Sequence, residues 1–292
     1  LALSRDVVRC KLSVVAAGTP RSEHRARMEE GASARTDERP GVKPRLTVAF
    51  LAPAAHTPEA LTGIASEGLP PVVGAGTSRL VAVRPGDGAV QCDAALVSLV
   101  TSLGVAVTAS PAARLLTPWM KVTGMDGPFL LSVDGTPTLD VLTRVVEKTG
   151  QREPLFFALK APREDIAPLL RTVGGVDPAR GAVAVGDVLP PDAQVAIAVR
   201  DPSAARNDLS TRLRTVAREM AGGIPAAALM LTCAGRGASL YGHADVDAGI
   251  FRGRFPSVPV AGMHSSFELA PWGDRTRVHL FTAVSAVFFR PS

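Results

Sequence analysis

The sequence predicts an α/β (α+β) fold with two lobes, in which mixed, largely antiparallel sheets are covered by helices. Short apolar runs bounded by glycine and proline recur along the chain, which is typical of buried strands. Segments with helical spacing are few, and they do not alternate with the strands as they would in a parallel sheet. A chain of 292 residues is long enough for two ordinary domains or one large one.

The first 45 residues differ in composition from the rest. They carry ten Lys or Arg and six Asp or Glu, and residues 18–45 contain almost no large apolar side chain. Mixed charge with little apolar area is typical of disorder. We therefore expect residues 1–45 to form a disordered leader or linker. The rest of the chain holds 22 basic and 21 acidic side chains, and this near neutrality disfavours nucleic-acid binding.

The first half of the chain reads mainly as strands. Order is expected to begin at the apolar run Leu46–Leu51, which is bounded by prolines. Thr57 and Pro58 then suit the N-cap and the first position of a short helix. Four further runs are predicted to be strands, and the last of them ends in an Asp-Gly turn: Pro71–Ser78, Leu80–Val83, Ala89–Leu103 and Phe129–Gly135.

Two helices are predicted in the second half. One starts with Thr136 as its cap and Pro137 at its first position. The other starts at Asp201 and ends at Gly222, and four apolar residues form its buried stripe: Leu209, Leu213, Val216 and Met220. Five segments are predicted to be strands: Arg171–Val173, Gly181–Val185, Gln194–Val199, Ala226–Cys233 and Val278–Phe289.

The cysteines and the hydropathy pattern bear on location. Cys10, Cys92 and Cys233 are odd in number and lie far apart, which argues against a disulfide framework and fits a reducing compartment. No apolar run reaches the roughly 18–20 residues of a membrane helix. The run Leu12–Gly18 is too short for the core of a signal peptide. We therefore expect a cytoplasmic location and no membrane association.

The most informative motif is Cys233-Ala234-Gly235-Arg236-Gly237, which follows a predicted buried strand. Open sheets bind ligands beyond the carboxyl ends of their strands. A guanidinium group recognises carboxylates with two parallel hydrogen bonds, and flanking glycines let a ligand approach the backbone. Alternatively, Arg236 pairs internally with an acid such as Glu268 or Asp245.

Other residues extend this candidate site. Glu268 lies among apolar neighbours, so we expect it to be partly buried and to need a partner. That partner is either Arg236 or the amine of a ligand, and an Arg and a Glu facing one cavity would suit a zwitterion such as an amino acid. Two histidines complete the candidate ligand-binding set, which is Gly235, Arg236, Gly237, His264, Glu268 and His279.

Other chemistries find little support in the sequence. His243, Asp245 and Asp247 form an HxDxD run whose spacing matches no established metal signature. Cys233 could act as a nucleophile with a histidine as base, but a cysteine that ends a buried strand is more often inert. The Gly74-Ala75-Gly76 turn lacks the third glycine of a dinucleotide site, and no phosphate-binding GxxxxGK[ST] loop exists. We therefore assign no catalytic residue, no metal and no cofactor.

The order of these motifs resembles the C-terminal half of the FIST family, named for F-box and intracellular signal transduction. The resemblance rests on CxGRG at residues 233–237, PxxG at 259–262, the glutamate loop at 267–271 and HxxT at 279–282. Residues 133–137 resemble the DGxPA element of the family. The resemblance implies a shortened FIST N-like region at residues 46–135 and a FIST C-like domain at residues 136–289.

The sequence departs from the family at two places. The usual first strand and helix have no clear counterpart before Leu46. The Gly-Glu loop of the family reads Phe267-Glu268 here, so a bulky ring stands where a glycine is usual. If that glycine leaves room for a ligand, the pocket of this protein is altered or partly filled.

The resemblance implies a sensory module for signal transduction. Such a module would bind a small polar metabolite, such as an amino acid or a similar small anion, and act through a separate signalling protein. Two alternatives stay open. One is an enzyme that uses the same cleft with Cys or His/Glu chemistry, and the other is a structural scaffold whose cleft is closed by an Arg236–Glu268 bridge.

Overall fold

The computed structural model describes residues 8–33, 45–57, 61, 63–64, 69–84, 88–187, 189 and 193–292. Mixed and antiparallel sheets with accompanying helices make up this part of the chain, which confirms the predicted fold class. The chain divides into two compact units. Unit 1 comprises the described residues up to Ser110 together with Leu209–Ser292, and unit 2 comprises Pro111–Asp208.

The elements are numbered in chain order within the described residues. The strands are β1 (Val8–Ala16), β2 (Leu46–Leu51), β3 (Val72–Gly76), β4 (Val81–Arg84), β5 (Gly88–Thr101), β6 (Gly104–Pro111), β7 (Ala113–Leu115), β8 (Met120–Asp126), β9 (Phe129–Val133), β10 (Thr136–Pro137), β11 (Leu155–Leu159), β12 (Leu169–Thr172), β13 (Gly175–Asp177), β14 (Ala182–Ala184), β15 (Gln194–Arg200), β16 (Ile224–Cys233), β17 (Val260–Ser265), β18 (Glu268–Trp272), β19 (Arg275–His279) and β20 (Thr282–Arg290). The α-helices are α1 (Arg21–Ser33), α2 (Thr138–Thr149), α3 (Pro202–Glu219), α4 (Ala238–Tyr241) and α5 (Val246–Arg254). Pro53–Ala55 and Ala234–Arg236 are single 3-10 turns.

Unit 1 contains two sheets. The larger sheet has the order β1-β5-β2-β3-β18-β19, with β4 attached to β5, and the smaller sheet has the order β17-β16-β20-β6. The pairs β2–β3 and β16–β17 are parallel, whereas β1–β5, β2–β5, β18–β19 and β16–β20 are antiparallel. This mixture of pairings is what the sequence predicts.

Apolar packing arranges unit 1 in layers of helix, sheet, sheet and helix. Met28 of α1 packs on one face of the larger sheet beside Leu51 and Leu96. The opposite face packs against the smaller sheet, and this shared core includes Leu46, Val73, Leu231 and Val284. The outer face of the smaller sheet is covered by α3 and α5. The predicted stripe of α3 is buried there: Leu209, Leu213, Val216 and Met220.

The interpretation of residues 1–45 as a disordered leader is wrong for residues 8–33. Strand β1 pairs with β5 along its length, and α1 covers the larger sheet. Helix α1 is mostly polar, and over residues 21–31, where burial is described, it buries His24, Met28 and Gly31, one residue per turn. These buried residues have helical spacing, although the composition of α1 as a whole is that of a solvated segment. Residues 1–7 and 34–44 lie outside the described residues.

Unit 2 is built on a third sheet, of order β12-β11-β15-β8-β9-β14-β13, with β10 attached to β9 and β7 to β15. The described pairs are antiparallel. The predicted division between residues 135 and 136 falls inside this unit. The regions drawn from the family resemblance therefore differ from the compact units.

Two predicted boundaries are displaced in the structure. Asp134 and Gly135 have φ of 48° and 75° and form the expected turn, but Thr136 and Pro137 continue as β10, so α2 begins at Thr138. The run Val278–Phe289, predicted as one strand, is divided between β19 and β20. The predicted helix start at Thr57 and Pro58 extends beyond the described residues.

Candidate functional site

The CxGRG motif lies where β16 leaves the smaller sheet. After Cys233 the chain makes one 3-10 turn, Ala234–Arg236, and enters the short helix α4. A Cβ on Gly235 would lie 3.1 Å from the ring of Phe281. That spacing is tighter than ordinary van der Waals contact, so a larger residue would press against the ring. The motif therefore allows the chain to turn sharply against Phe281 and to direct Arg236 inward.

Arg236 is 1% exposed and forms a two-point ion pair with Asp247. Its Nε donates to Asp247 Oδ2 at 2.8 Å and its Nη2 to Asp247 Oδ1 at 3.0 Å. Nη1 donates to the carbonyl of Ser110 at 3.0 Å, and Nη2 also donates to Tyr241 Oη at 3.0 Å. These bonds use four of the five N–H groups of the guanidinium. An internal pair, the alternative left open by the sequence, is therefore present.

The partner in that pair differs from the residues named by the sequence. Asp247 takes the place considered for Glu268 or Asp245, and Tyr241 Oη donates to its Oδ1 at 2.8 Å. Asp247 lies in the first turn of α5, where a negative charge interacts favourably with the helix dipole. Asp245 precedes this helix with a φ of 64°. The scaffold alternative is thus wrong in its specific bridge, because Arg236 pairs with Asp247.

A cavity of about 280 Å³ lies beside this ion pair, within unit 1. Its wall comes from β16, β17 and the beginning of α5. The lining consists of residues 230, 232, 236, 237, 245–248, 252 and 260–264. Apolar side chains such as Met230 and Val260 lie there beside Asp245, Arg252 and His264.

His264 reaches the cavity from the edge strand β17. It is exposed, and its Nδ1 shares a hydrogen bond of 3.0 Å with Thr232 Oγ1 on the neighbouring strand β16. Thr232 and His264 are register partners in this parallel pair. Of the six predicted ligand-binding residues, the cavity lining brings together Arg236, Gly237 and His264.

Glu268 is fully buried at the start of β18. Its Oε1 accepts a hydrogen bond from Ser265 Oγ at 2.7 Å, and its Oε2 accepts one from the amide of Thr282 at 3.2 Å. Loss of solvation raises the pKa of Glu268 to about 8, although these two hydrogen bonds and the charge of Arg236 act in the opposite direction. Ser265 Oγ also lies 3.2 Å from the carbonyl oxygen of Thr232.

His279 lies directly opposite Glu268 in the antiparallel pair β18–β19, and it is 1% exposed. Among the described residues, the cavity lining includes neither of these side chains, nor Gly235. The predicted set is therefore divided. One half lines the cavity, whereas in the other half Glu268 and His279 are buried and Gly235 is half-buried.

The ring of Phe267 fills space next to β3. It stacks on His56 with a distance of 4.2 Å between the ring centroids, and burial lowers the pKa of His56. A Cβ on Gly76 would lie 2.3 Å from this ring. Phe267 also belongs to the core shared by α1 and the larger sheet. The ring therefore occupies the volume that the absence of a side chain at Gly76 leaves open.

Sequence reasoning missed several residues of this region. Tyr241, Thr232, Ser265 and Arg252 were not singled out, and Asp247 was considered only within the HxDxD run. In the described part of the chain, no group of three or more His, Cys, Asp and Glu side chains could hold a metal ion. One signal was available for Asp247: an acid in the first turn of a helix, soon after a buried arginine.

The similarity of this sequence to known proteins agrees with the motifs described above. Residues 138–271 match the FIST C domain. Two uncharacterized proteins, one from Mycobacterium tuberculosis and one from Mycobacterium bovis, are 32% and 31% identical to the chain over 178 residues. These matches cover 57% of this chain and 46% of each relative, so the chain spans about half the length of the curated relatives it matches.

The structure bears on the prediction about membranes, and the family match bears on the prediction about domains. No helix within the described ranges is both long and apolar enough to cross a membrane. The FIST N-like region at residues 46–135 stays a prediction. The motifs from residue 233 onward lie largely within the matched range, and residues 138–271 of the chain are therefore similar to the FIST C domain.

Proposed function

We propose that the chain is a small-ligand-binding sensory module of the FIST type, and that its ligand occupies the cavity between β17 and α5. The observation that carries this proposal is the cavity beside the Arg236–Asp247 pair, which joins apolar and charged side chains in one wall. Its volume of about 280 Å³ lies near the lower limit of small-molecule sites, roughly 300–1,000 Å³. This size suits a small metabolite.

The charges of the wall favour a ligand that carries both signs. Arg236 and Asp247 neutralise each other in the buried pair. Arg252 and Asp245 are exposed side chains of opposite charge in the same lining. Arg252 suits a carboxylate, and Asp245 suits an amine. We therefore infer a zwitterionic or similar small polar compound, such as an amino acid, whose apolar part would lie near Met230 and Val260.

In this proposal the six predicted residues have different tasks. His264 and the backbone at Gly237 contact the ligand, whereas Arg236 fixes Asp247 and with it the first turn of α5. Glu268 supports the wall through Ser265 and Thr232. Gly235 and His279 are assigned to the same supporting structure, beside Phe281 and Glu268 respectively.

A sensor also needs an output. Ligand binding changes the balance between two conformations only when the ligand has different affinities for them. We propose that a separate cytoplasmic signalling protein distinguishes those conformations. The FIST C match supports this role.

A thermal-shift screen against amino acids, organic acids and nucleotides tests the ligand site. A compound at one hundred times its Kd adds about 2.7 kcal/mol to the free energy of unfolding. We expect a selective compound whose effect is lost in Asp245→Asn and in Arg252→Gln. Asparagine tolerates the left-handed backbone of residue 245, so the first variant keeps the local fold.

Arg254→Gln is the matched control, because Arg254 is an exposed arginine of the same helix and lies outside the described lining. It should keep the ligand response in full. A screen without any selective compound contradicts the proposal, as does a compound whose effect survives both cavity variants. Recovery of a chemically changed compound, with loss of turnover in Cys233→Ser, would favour an enzyme in the same cleft.

A further inference from the structure

The hydrogen bonds around Glu268 can form with its carboxyl group either ionised or neutral. Ser265 Oγ carries one hydrogen, yet two acceptors lie within reach of it: Glu268 Oε1 at 2.7 Å and the carbonyl of Thr232 at 3.2 Å. A neutral Glu268 resolves this shortage, because its own O–H donates to Ser265 and Ser265 donates onward to Thr232. An ionised Glu268 attracts the Ser265 hydrogen instead, since hydrogen bonds to charged acceptors are stronger.

The surroundings of Glu268 make the neutral form accessible. Arg236 is the nearby cation, but its charge is already engaged by Asp247. On β19 the opposed residue is His279, and directly opposed side chains project from the same face of a sheet. Strand β16 contributes the buried thiol of Cys233 at the end next to Ser265.

Among the residues that the structure describes, the remaining neighbouring strands add no charge close to the carboxyl group of Glu268. Strand β3, which pairs with β18 on its other side, consists of Val, Gly and Ala. Strand β20 contributes the amide of Thr282, and its charged residue, Arg290, lies at its opposite end. Burial therefore dominates, and it raises the pKa of Glu268 to about 8. Both protonation states are accessible near neutral pH.

Hydrogen bonds on either side of Thr232 connect Glu268 with the wall of the cavity. Ser265 contacts the carbonyl of Thr232, and the side chain of the same threonine bonds to His264 Nδ1 at 3.0 Å. His264 and Thr232 both belong to the cavity lining. A change in the Ser265 hydrogen bond therefore acts on a residue that forms the wall of the cavity.

We propose that Glu268 is a proton-linked control of the cavity. In its neutral form it holds Thr232 and His264 in place through Ser265, and loss of its proton reverses the Ser265 hydrogen bond and alters the cavity wall. This regulation rests on the proposed function, because it takes the cavity as the ligand site. The link between Glu268 and His264 can nevertheless be measured without any ligand.

The experiment is an NMR titration of the histidine rings of the full chain between about pH 5 and about pH 10. In the wild type we expect the His264 ring signals to follow the ionisation of Glu268, with an inflection near pH 8. Glu268→Gln should abolish this inflection, because the glutamine amide donates to Ser265 as the neutral acid does. Ser265→Ala should abolish it as well, although Glu268 is still present.

His243 is the internal control, because it is exposed and its Nδ1 lies 3.3 Å from the carbonyl of Ala244, outside this path. Its ring signals should not follow the ionisation of Glu268 in any of the three proteins. If the inflection near pH 8 is missing from the His264 signals of the wild type, or persists in Glu268→Gln, the proposal is overturned. A ligand screen that fails leaves this titration unaffected, and a missing inflection in a protein with a proven ligand overturns the proton link alone.

Discussion

The guanidinium of Arg236 and the carboxylate of Asp247 face each other in a buried two-point ion pair, with N–O distances of 2.8 and 3.0 Å. Tyr241 and the carbonyl of Ser110 complete the surroundings of the arginine. The pair joins the CxGRG motif to the first turn of α5. Because both elements line the cavity, the stability of this pair and the shape of the cavity depend on the same contacts.

Arg236→Ala should lower the free energy of unfolding by about 3–5 kcal/mol, because it leaves the carboxylate of Asp247 buried without its partner. Arg236→Lys keeps the charge but loses the two-point geometry, so its effect should be smaller. Urea unfolding of the apo protein measures both. Arg254→Ala, an exposed position, should change stability little, and a similarly small loss in Arg236→Ala would contradict a structural pair.

The double variant Arg236→Ala/Asp247→Ala separates pairing from packing. Removal of both charges leaves no unpaired ion, so the combined loss should be smaller than the sum of the two single losses. Urea unfolding of the four proteins gives the coupling energy. Additive losses would show that the two side chains stabilise the fold independently.

Glu268→Gln should remove a dependence of stability on pH. The pKa of Glu268 is raised in the folded state, from 4.5 to about 8, so between these values the unfolded chain binds fewer protons than the folded one. Stability from this group is present in full below about pH 4.5 and is lost as pH rises to about 8. The loss approaches 1.4 kcal/mol for each pH unit. The glutamine variant should therefore gain stability over the wild type as pH rises through this range.

Thermal or urea unfolding at several pH values measures this difference. Glu219→Gln is a suitable control, because Glu219 is exposed at the end of α3. It should follow the wild type at each pH. Parallel curves for the wild type and Glu268→Gln would show that Glu268 ionises in the folded protein as it does in water.

Two glycines near the cavity should respond to alanine in opposite ways. A Cβ on Gly262 in β17 would lie 1.8 Å from the carbonyl oxygen of Met230, whereas a Cβ on Gly249 in α5 has open space around it. Gly262→Ala must push β17 away from β16 and should destabilise unit 1. Gly249→Ala should add about 0.5–1 kcal/mol, since alanine favours the helix. Urea unfolding compares them, and a mild effect of Gly262→Ala would indicate that the strand edge can yield.

Phe267→Ala should cost about 3–5 kcal/mol, because it removes a buried ring. The ring of His56 loses its stacking partner and gains access to water, so its lowered pKa should rise toward 6.5. Urea unfolding and NMR titration of His56 measure the two effects. Phe267→Leu fills more of the space and should lie between the wild type and alanine, whereas an unchanged His56 titration would indicate that other residues bury the histidine.

The sequence predicted those parts of the fold in which one periodic pattern dominates. Leu46–Leu51 forms the buried strand β2, and the four-residue stripe of α3 is buried where it was expected. Phe281 illustrates what such patterns do not contain. It adopts a φ of 52°, which ends the extended run between β19 and β20. A left-handed phenylalanine is rare, so the apolar letters alone predict one continuous strand.

The candidate site could also be predicted only in part, because it depends on backbone geometry that the sequence pattern does not contain. Arg236 was recognised from its glycines, and an internal acid partner was considered. The identity of that partner depends on how α5 is placed, and α5 follows Asp245 with its left-handed φ of 64°. The sequence named Asp245 as a possible partner and Asp247 only as part of the HxDxD run, whereas the structure pairs Arg236 with Asp247.

Unit 2 lies in the sequence between the two segments that form unit 1, and this order affects folding during synthesis. Strand β6 ends at Pro111, but its neighbour β20 begins at Thr282, after about 170 further residues. At the usual translation rates of about 5–20 residues per second, roughly ten to thirty seconds pass between the synthesis of β6 and that of its partner β20. Unit 2 is continuous in sequence and is complete by then. On the ribosome, the interior segment is therefore able to fold first, while the earlier strand keeps an apolar edge that chaperones can bind.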